Sequence, residues 1–322
     1  VRTRWLPVLA LAVLAPVCAE YLWGYDDSTG HPATLLGNLV VFTPLYGAPA
    51  LLIREVVRRR GLGWPSIVLL AAAFGVVQAG VVDQSVWART YRGIPYWSDM
   101  ADPTYLAPIG LSVFLAVSFV ANHVLASMCG PIALVEGLAG RDRWLGRPVV
   151  VVLALLYVAA SVLVFVDMLD TVGHPIGSPA QVAGAAVAAV ALVLAALVPR
   201  RSPVFGPGRV PSPWLLLVAS GVVFGAAMLA PPSPLGTTAL VLAYAGAAAV
   251  ITRLAHRADF SRAHVTALAA GWLIALAVGS WATVPIGTVT TAERVGHHVV
   301  LIALVALTGV LGVARSRVAL PR

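Results

Sequence analysis

SFVANHVLASMCGPIALVEGL, residues 118–138, decides what kind of fold this chain adopts. Between Asp102 and Arg141 the only acids or bases are His123 and Glu136, and every other position is uncharged. A run of this kind needs a solvent other than water. The whole chain points the same way: 322 residues, 60% of them hydrophobic, 11% charged, with a mean hydropathy of +0.91. A soluble domain carries charge on about a quarter of its positions. So apolar a chain cannot cover itself with polar surface, which makes the lipid bilayer its solvent and first partner.

The formal charge of +8 raises nucleic acid as a partner. The basic residues, however, lie scattered in short loops, with no basic stripe and no aromatic-basic interleaving, so no nucleic acid is expected. All 21 basic residues are arginine, a composition that suggests a GC-rich, bacterial genome. The two cysteines, Cys18 and Cys129, sit inside apolar runs without CxxC or Cys/His spacing. They read as small buried hydrophobes, and neither a disulfide framework, a metal site nor a cofactor is expected.

Crossing a bilayer as a helix takes about 20 apolar residues. Ten runs qualify: 5–23, 33–53, 64–83, 105–128 with an extension to 138, 148–168, 178–198, 213–230, 234–252, 263–283 and 296–314. The expected fold is therefore all-α, a polytopic transmembrane bundle forming one integral membrane domain over residues 1–322. The arginines test this parse independently. With the loops taken alternately, one side holds Arg2, Arg4, Arg54, Arg58, Arg59, Arg60, Arg141, Arg143, Arg147, Arg200, Arg201, Arg209, Arg253, Arg257, Arg262, Arg315, Arg317 and Arg322. The other side holds only Arg89, Arg92 and Arg294, a ratio of 18 to 3. The positive-inside rule then puts both termini in the cytoplasm of a cell-membrane protein. A competing reading makes the first span a signal peptide cleaved near Val17-Cys18-Ala19.

Polar groups at depth concentrate in residues 20–168, whereas 169–322 is more apolar. His123 lies mid-span beside Asn122, and Ser127 shares its face one turn on. An ionisable residue at that depth marks a substrate or ion pathway, or else a hydrogen bond locking two helices. The following Gly130-Pro131 is expected to kink or break the helix. Gln78 lies inside the third span, and Asp83 at its outer mouth faces either water or a vestibule. Glu20, Asp26, Asp27, His31, Asp167, Asp170, His174, His297 and His298 gather at the outer ends and read as a solvated rim. The loop REVVRRRG, residues 54–61, first sets topology and secondly suits anionic lipid headgroups. Within it Glu55 and Arg59 have the spacing of an exposed helical ion pair, and Glu136 is placed to meet Arg141 or Arg143. The aromatic stretch QSVWARTYRGIPYWSDMADPTY, residues 84–105, reads as an interfacial belt or as a lid over the third and fourth spans.

Three fragments resemble the CPBP membrane proteases, the CAAX-processing and bacteriocin-processing family. That family carries two adjacent glutamates followed after three residues by Arg, then Phe-xxx-His, then His-xxx-Asn. Here Arg54-Glu55-Val-Val-Arg58-Arg59 has one glutamate, Phe74-Gly-Val-Val-Gln78 has Gln for His, and His123-Val-Leu-Ala-Ser127 has Ser for Asn. The resemblance covers about 75 residues and implies an inactive relative of a membrane-embedded hydrolase. Beside it stand two other expectations. One is a permease-like protein for a small molecule or ion, with a pathway at Gln78, Asn122 and His123. The other is a non-catalytic membrane subunit of a larger complex.

Overall fold

In hydrocarbon the backbone has no hydrogen-bond partner but itself, so long apolar runs become helices. The computed structural model describes residues 3–198 and 208–318. Among them nine helices are long and apolar enough to span a bilayer. They are α1 (Trp5–Trp23), α2 (Pro32–Arg59), α3 (Trp64–Val82), α4 (Val113–Ala139), α5 (Arg147–Val172), α6 (Pro179–Leu197), α8 (Pro234–Ala255), α9 (Arg262–Ala282) and α10 (Thr291–Ser316). The remaining apolar helix, α7 (Pro213–Met228), has 16 residues. At 1.5 Å per residue it rises about 24 Å, short of the ~30 Å hydrocarbon thickness. All ten expected runs are thus helical. Arg2, Arg200, Arg201 and Arg322 of the basic set lie outside the described residues.

Three of these helices start on the same dipeptide. Ser178-Pro179, Ser212-Pro213 and Ser233-Pro234 open α6, α7 and α8, and each serine oxygen accepts the backbone N–H of Gln181, Leu215 or Gly236. The proline's fixed φ suits the first turn, where its missing N–H costs nothing.

Two boundaries depart from the sequence reading. The fourth helix begins at Val113 rather than 105, because Tyr105–Leu106 (β1) and Leu111–Ser112 (β2) pair in a short antiparallel hairpin. Gly130-Pro131 does not break it either: a π-helical segment, His123–Cys129, runs directly into the helical segment Gly130–Ala139. The Gly130 N–H reaches back five residues to the Leu125 carbonyl. This wider turn accommodates the proline that a regular α-turn would reject. Two further π-helical segments occur at Thr43–Gly47 in α2, which contains Pro44, and at Gln78–Val82 in α3.

One apolar core runs through both halves of the chain, from Val8, Leu11 and Cys18 in α1 through Ile132 and Leu134 in α4 to Leu273 and Leu276 in α9 and Val305 in α10. Cys18 and Cys129 are both buried free thiols within it. Close helix approach depends on small residues, as packing in lipid favours. A Cβ on Gly271 of α9 would stand 2.1 Å from the Leu217 carbonyl oxygen of α7. Ser220 bridges the same pair of helices, donating to Leu268 O at 3.0 Å. Gly47 allows α2 to press on α1, since its Cβ would lie 2.3 Å from Ala12 O. By contrast α5 turns Val151, Val152, Leu155 and Leu156 outward as an exposed apolar face.

The 84–105 stretch is a folded cap rather than a belt. Trp97 is buried, packs with Tyr91, Phe114 and Phe119, and donates its indole N–H to Ala88 O at 3.0 Å. Gln84 holds a left-handed backbone with φ 56°, uncommon for a residue with a side chain. Its Oε1 accepts the backbone N–H groups of Ile176 and Gly177, both at 2.8 Å, tying the cap to the α5–α6 loop.

Candidate functional site

The three π-helical segments carry Tyr46, Gln78 and His123, and two of these side chains meet around Phe74. The His123 ring stacks on Tyr46 with centroids 6.1 Å apart and meets the edge of Phe74 at 5.4 Å. Tyr46 and Phe74 touch at 5.9 Å. π-helical turns inside α-helices recur at functional sites, because the extra residue redirects side chains that a regular helix would point elsewhere.

His123 Nδ1 and Ser127 Oγ share a hydrogen bond of 3.1 Å, so the expected common face is real. From His123 the polar contacts lead toward the 84–105 cap. The Tyr46 hydroxyl donates to Glu20 Oε1, and Tyr25 donates to Glu20 Oε2 at 2.8 Å. Glu20 is therefore held by two phenols and has no cationic partner among the described residues. Asp83 sits one residue past α3, within electrostatic reach of Glu20. It accepts the Ser85 N–H at 2.9 Å, and burial pushes its carboxyl up from 3.8 to about 6. The Tyr91 hydroxyl covers it by donating to Asp83 O at 3.2 Å.

The other candidates divide. Gln78 is buried in the π segment of α3, and its Oε1 has no partner among the described residues. Asn122 Oδ1 is likewise buried without a partner. One residue along a helix turns a side chain by about 100°, so Asn122 diverges from its neighbour His123 rather than joining it. Asp167 pairs with Arg92 at 2.7 Å and pins the cap to α5. His297 and His298, expected on a solvated rim, are buried. His297 bonds Tyr21 O at 2.9 Å and accepts the Gly30 N–H at 3.3 Å, while His298 bonds Ser280 at 3.2 Å. They lock α10 to α9 and to the α1–α2 connection.

Glu55 and Glu136 belong to a second polar centre at the opposite, arginine-rich end. Of the expected exposed pair, Glu55 is buried at 1% exposure and Arg59 is half-buried, while the neighbouring Arg54 is 0% and Glu136 1% exposed. Arg58 grips Glu136 with two bonds of 2.7 and 2.6 Å, while Arg54 donates to it at 3.0 Å. Glu55 accepts from Arg59 at 2.9 Å, Arg54 at 3.3 Å and the Trp144 N–H at 3.1 Å. The Arg54 guanidinium lies 3.5 Å above the Trp144 ring. The second and third protease-like fragments meet at Phe74 and His123, but this geometry keeps the first, with Glu55, away from them. Glu55 stands nine residues, roughly 13 Å of helix, beyond the Tyr46 that contacts His123. Both its oxygens are engaged in the arginine network.

Tyr46, Tyr25 and Trp144 escape the sequence reading. Tyr46 had one visible signal, a lone phenol between Pro44 and Pro49 in an apolar run. Among the described residues no group of three or more His, Cys, Asp or Glu side chains is placed to hold a metal ion.

Helical spans long and apolar enough to cross a bilayer and an apolar core shared across both halves define a polytopic α-helical membrane protein. The chain belongs to an uncharacterised membrane protein family, whose model matches residues 9–321. Comparisons with curated proteins and with solved structures give no match.

Proposed function

We propose that this chain is a permease-like protein of the plasma membrane that moves a small molecule or ion, with a proton-carrying path from Asp83 and Glu20 through Tyr46 to His123 and Ser127. The observation that carries this reading is the run of contacts Glu20–Tyr46–His123–Ser127, built across two π-helical turns. It is hydrogen-bonded from Glu20 to Tyr46 and from His123 to Ser127, and joined between Tyr46 and His123 by a ring stack, where a bound water would relay the proton. Ionisable groups at depth that lack an opposite charge suit uptake and release of protons or cations. Unpartnered acceptors on Gln78 and Asn122 add nearby sites able to take a polar solute. The 18-to-3 arginine bias supports an orientation with the arginine-rich end in the cytoplasm and the Asp83 end outside.

The test is reconstitution of the full chain into phosphatidylcholine vesicles holding a trapped pH-sensitive dye. After an external pH step, the native chain is expected to collapse the gradient faster than protein-free vesicles. Glu20→Gln and His123→Ala should return the rate to that baseline, while Asp102→Asn should leave it intact. A native chain no faster than empty vesicles overturns the reading.

A further inference from the structure

A second site lies at the arginine-rich end. Arg59, Arg143, Leu145, Gly146, Arg147 and Pro148 line a half-open cavity of about 450 Å³ between the end of α2, the 140–146 loop and the start of α5. That volume falls in the range of small-molecule pockets. We propose that this cavity binds the phosphate group of an acidic phospholipid.

Charge is the first reason. The two buried glutamates of this region are already saturated. Glu136 is bonded to Arg54 and Arg58 and lies 3.6 Å from Arg141, and Glu55 is bonded to Arg54, Arg59 and Trp144. Among the described residues neither Arg143 nor Arg147 has a carboxylate within ion-pair distance. The nearby Asp142 is paired with Arg4 at 3.4 Å. Of the three arginines lining the cavity, Arg59 is neutralised by Glu55, and Arg143 and Arg147 are the two for which the described residues supply no anion.

Pre-organisation is the second. Arg59 is fixed by Glu55 and by donation to Leu145 O at 2.6 Å. Arg143 is tethered by one bond of 3.3 Å to Arg59 O. Guanidinium groups held this way suit the paired oxygens of a phosphate, and the N-terminus of α5 adds its dipole on the same side.

The third reason separates a lipid from a soluble anion. From the mouth of the cavity, α5 continues as an exposed apolar face through Val151, Val152, Leu155 and Leu156. A headgroup at Arg147 would lay its acyl chains along that face, whereas a free phosphate has no use for it. Anionic headgroups attract basic residues placed, as these are, at the start of a membrane span.

Native mass spectrometry of the detergent-solubilised full chain tests this with three probes: short-chain phosphatidylglycerol, short-chain phosphatidylcholine and glycerol phosphate. One phosphatidylglycerol should remain bound to the native chain at concentrations where phosphatidylcholine does not. The Arg143→Gln/Arg147→Gln variant should weaken that binding at least tenfold. Neither arginine supports a buried glutamate, so the variant should fold, and an unchanged melting temperature checks it. Arg60→Gln, in the same basic stretch but outside the cavity lining, should bind as the native chain does. Equal losses in Arg60→Gln and the double variant overturn the site, as does native binding indifferent to lipid charge. Displacement of the lipid by millimolar glycerol phosphate overturns the lipid as its occupant. The outcome is independent of proton flux.

Discussion

Two pairs of buried or half-buried carboxylates stand at opposite ends of the same bundle, and their neighbours differ in kind. Glu55 and Glu136 are enclosed by arginines that take up both oxygens of each. Glu20 has only phenols, and Asp83 has a backbone N–H with Arg92 farther off. A carboxylate enclosed by guanidinium groups fixes geometry. A carboxylate among neutral donors can change its proton without tearing an ion pair apart. The first arrangement is architecture, and the second suits chemistry that must reverse.

Truncation should expose this contrast most strongly. Glu136→Ala leaves the fully buried Arg54 without its strongest partner, and losing one side of a buried pair costs roughly 3–5 kcal/mol. Glu20→Gln removes a charge but keeps an oxygen for a phenol, so its cost should be that of about one hydrogen bond, roughly 1 kcal/mol. Melting or denaturant titration of the solubilised chain checks both, and equal losses would erase the distinction.

The next effect depends on pH. Burial holds Asp83 up at about 6 in the folded chain. An acid whose folded value is raised favours its protonated form, so the stability it lends is complete below the unfolded value of about 4. That stability drains as pH rises through about 6. Asp83→Asn should flatten the melting-temperature profile between pH 4 and 7 and make the variant the steadier protein above it. A native profile that rises across that window contradicts the assignment. Smallest of all is the exposed Arg89–Asp102 pair at 2.8 Å. Arg89 draws the Asp102 carboxyl below its ordinary range, yet water screens both groups. Asp102→Asn should leave the melting temperature unchanged.

The spans were legible because apolar length is a local signal, and, apart from the start of α4 at Val113, the described helices fall where it put them. His123 and Ser127 share a face for the same reason, since four residues make about one turn. What could not be read is long-range. Arg54 and Glu136 are 82 positions apart, and nothing in either neighbourhood announces the other. REVVRRRG looks like a loop, yet residues 54–59 fold as the end of α2, with Arg54, Glu55 and Val57 buried where Trp144 and Glu136 close over them. The π-helical turns were hidden too. Whether an N–H reaches four or five residues back is decided by Pro131, Pro44 and tertiary packing together, not by the apolar pattern. The cap over 84–105 looked like a belt because aromatic residues serve both uses, and only burial of Trp97 separates them.

The π-helical turn at His123–Cys129 has a consequence for the other end of the bundle. Such a turn amounts to one residue inserted into an ordinary helix, and excising it rotates everything downstream by about 100°. Deleting Ala126 would swing Glu136 off the α2 face that carries Arg54 and Arg58. The phasing of the two polar centres is thus set by a single surplus residue. A natural relative lacking it would have to rebuild both ends at once.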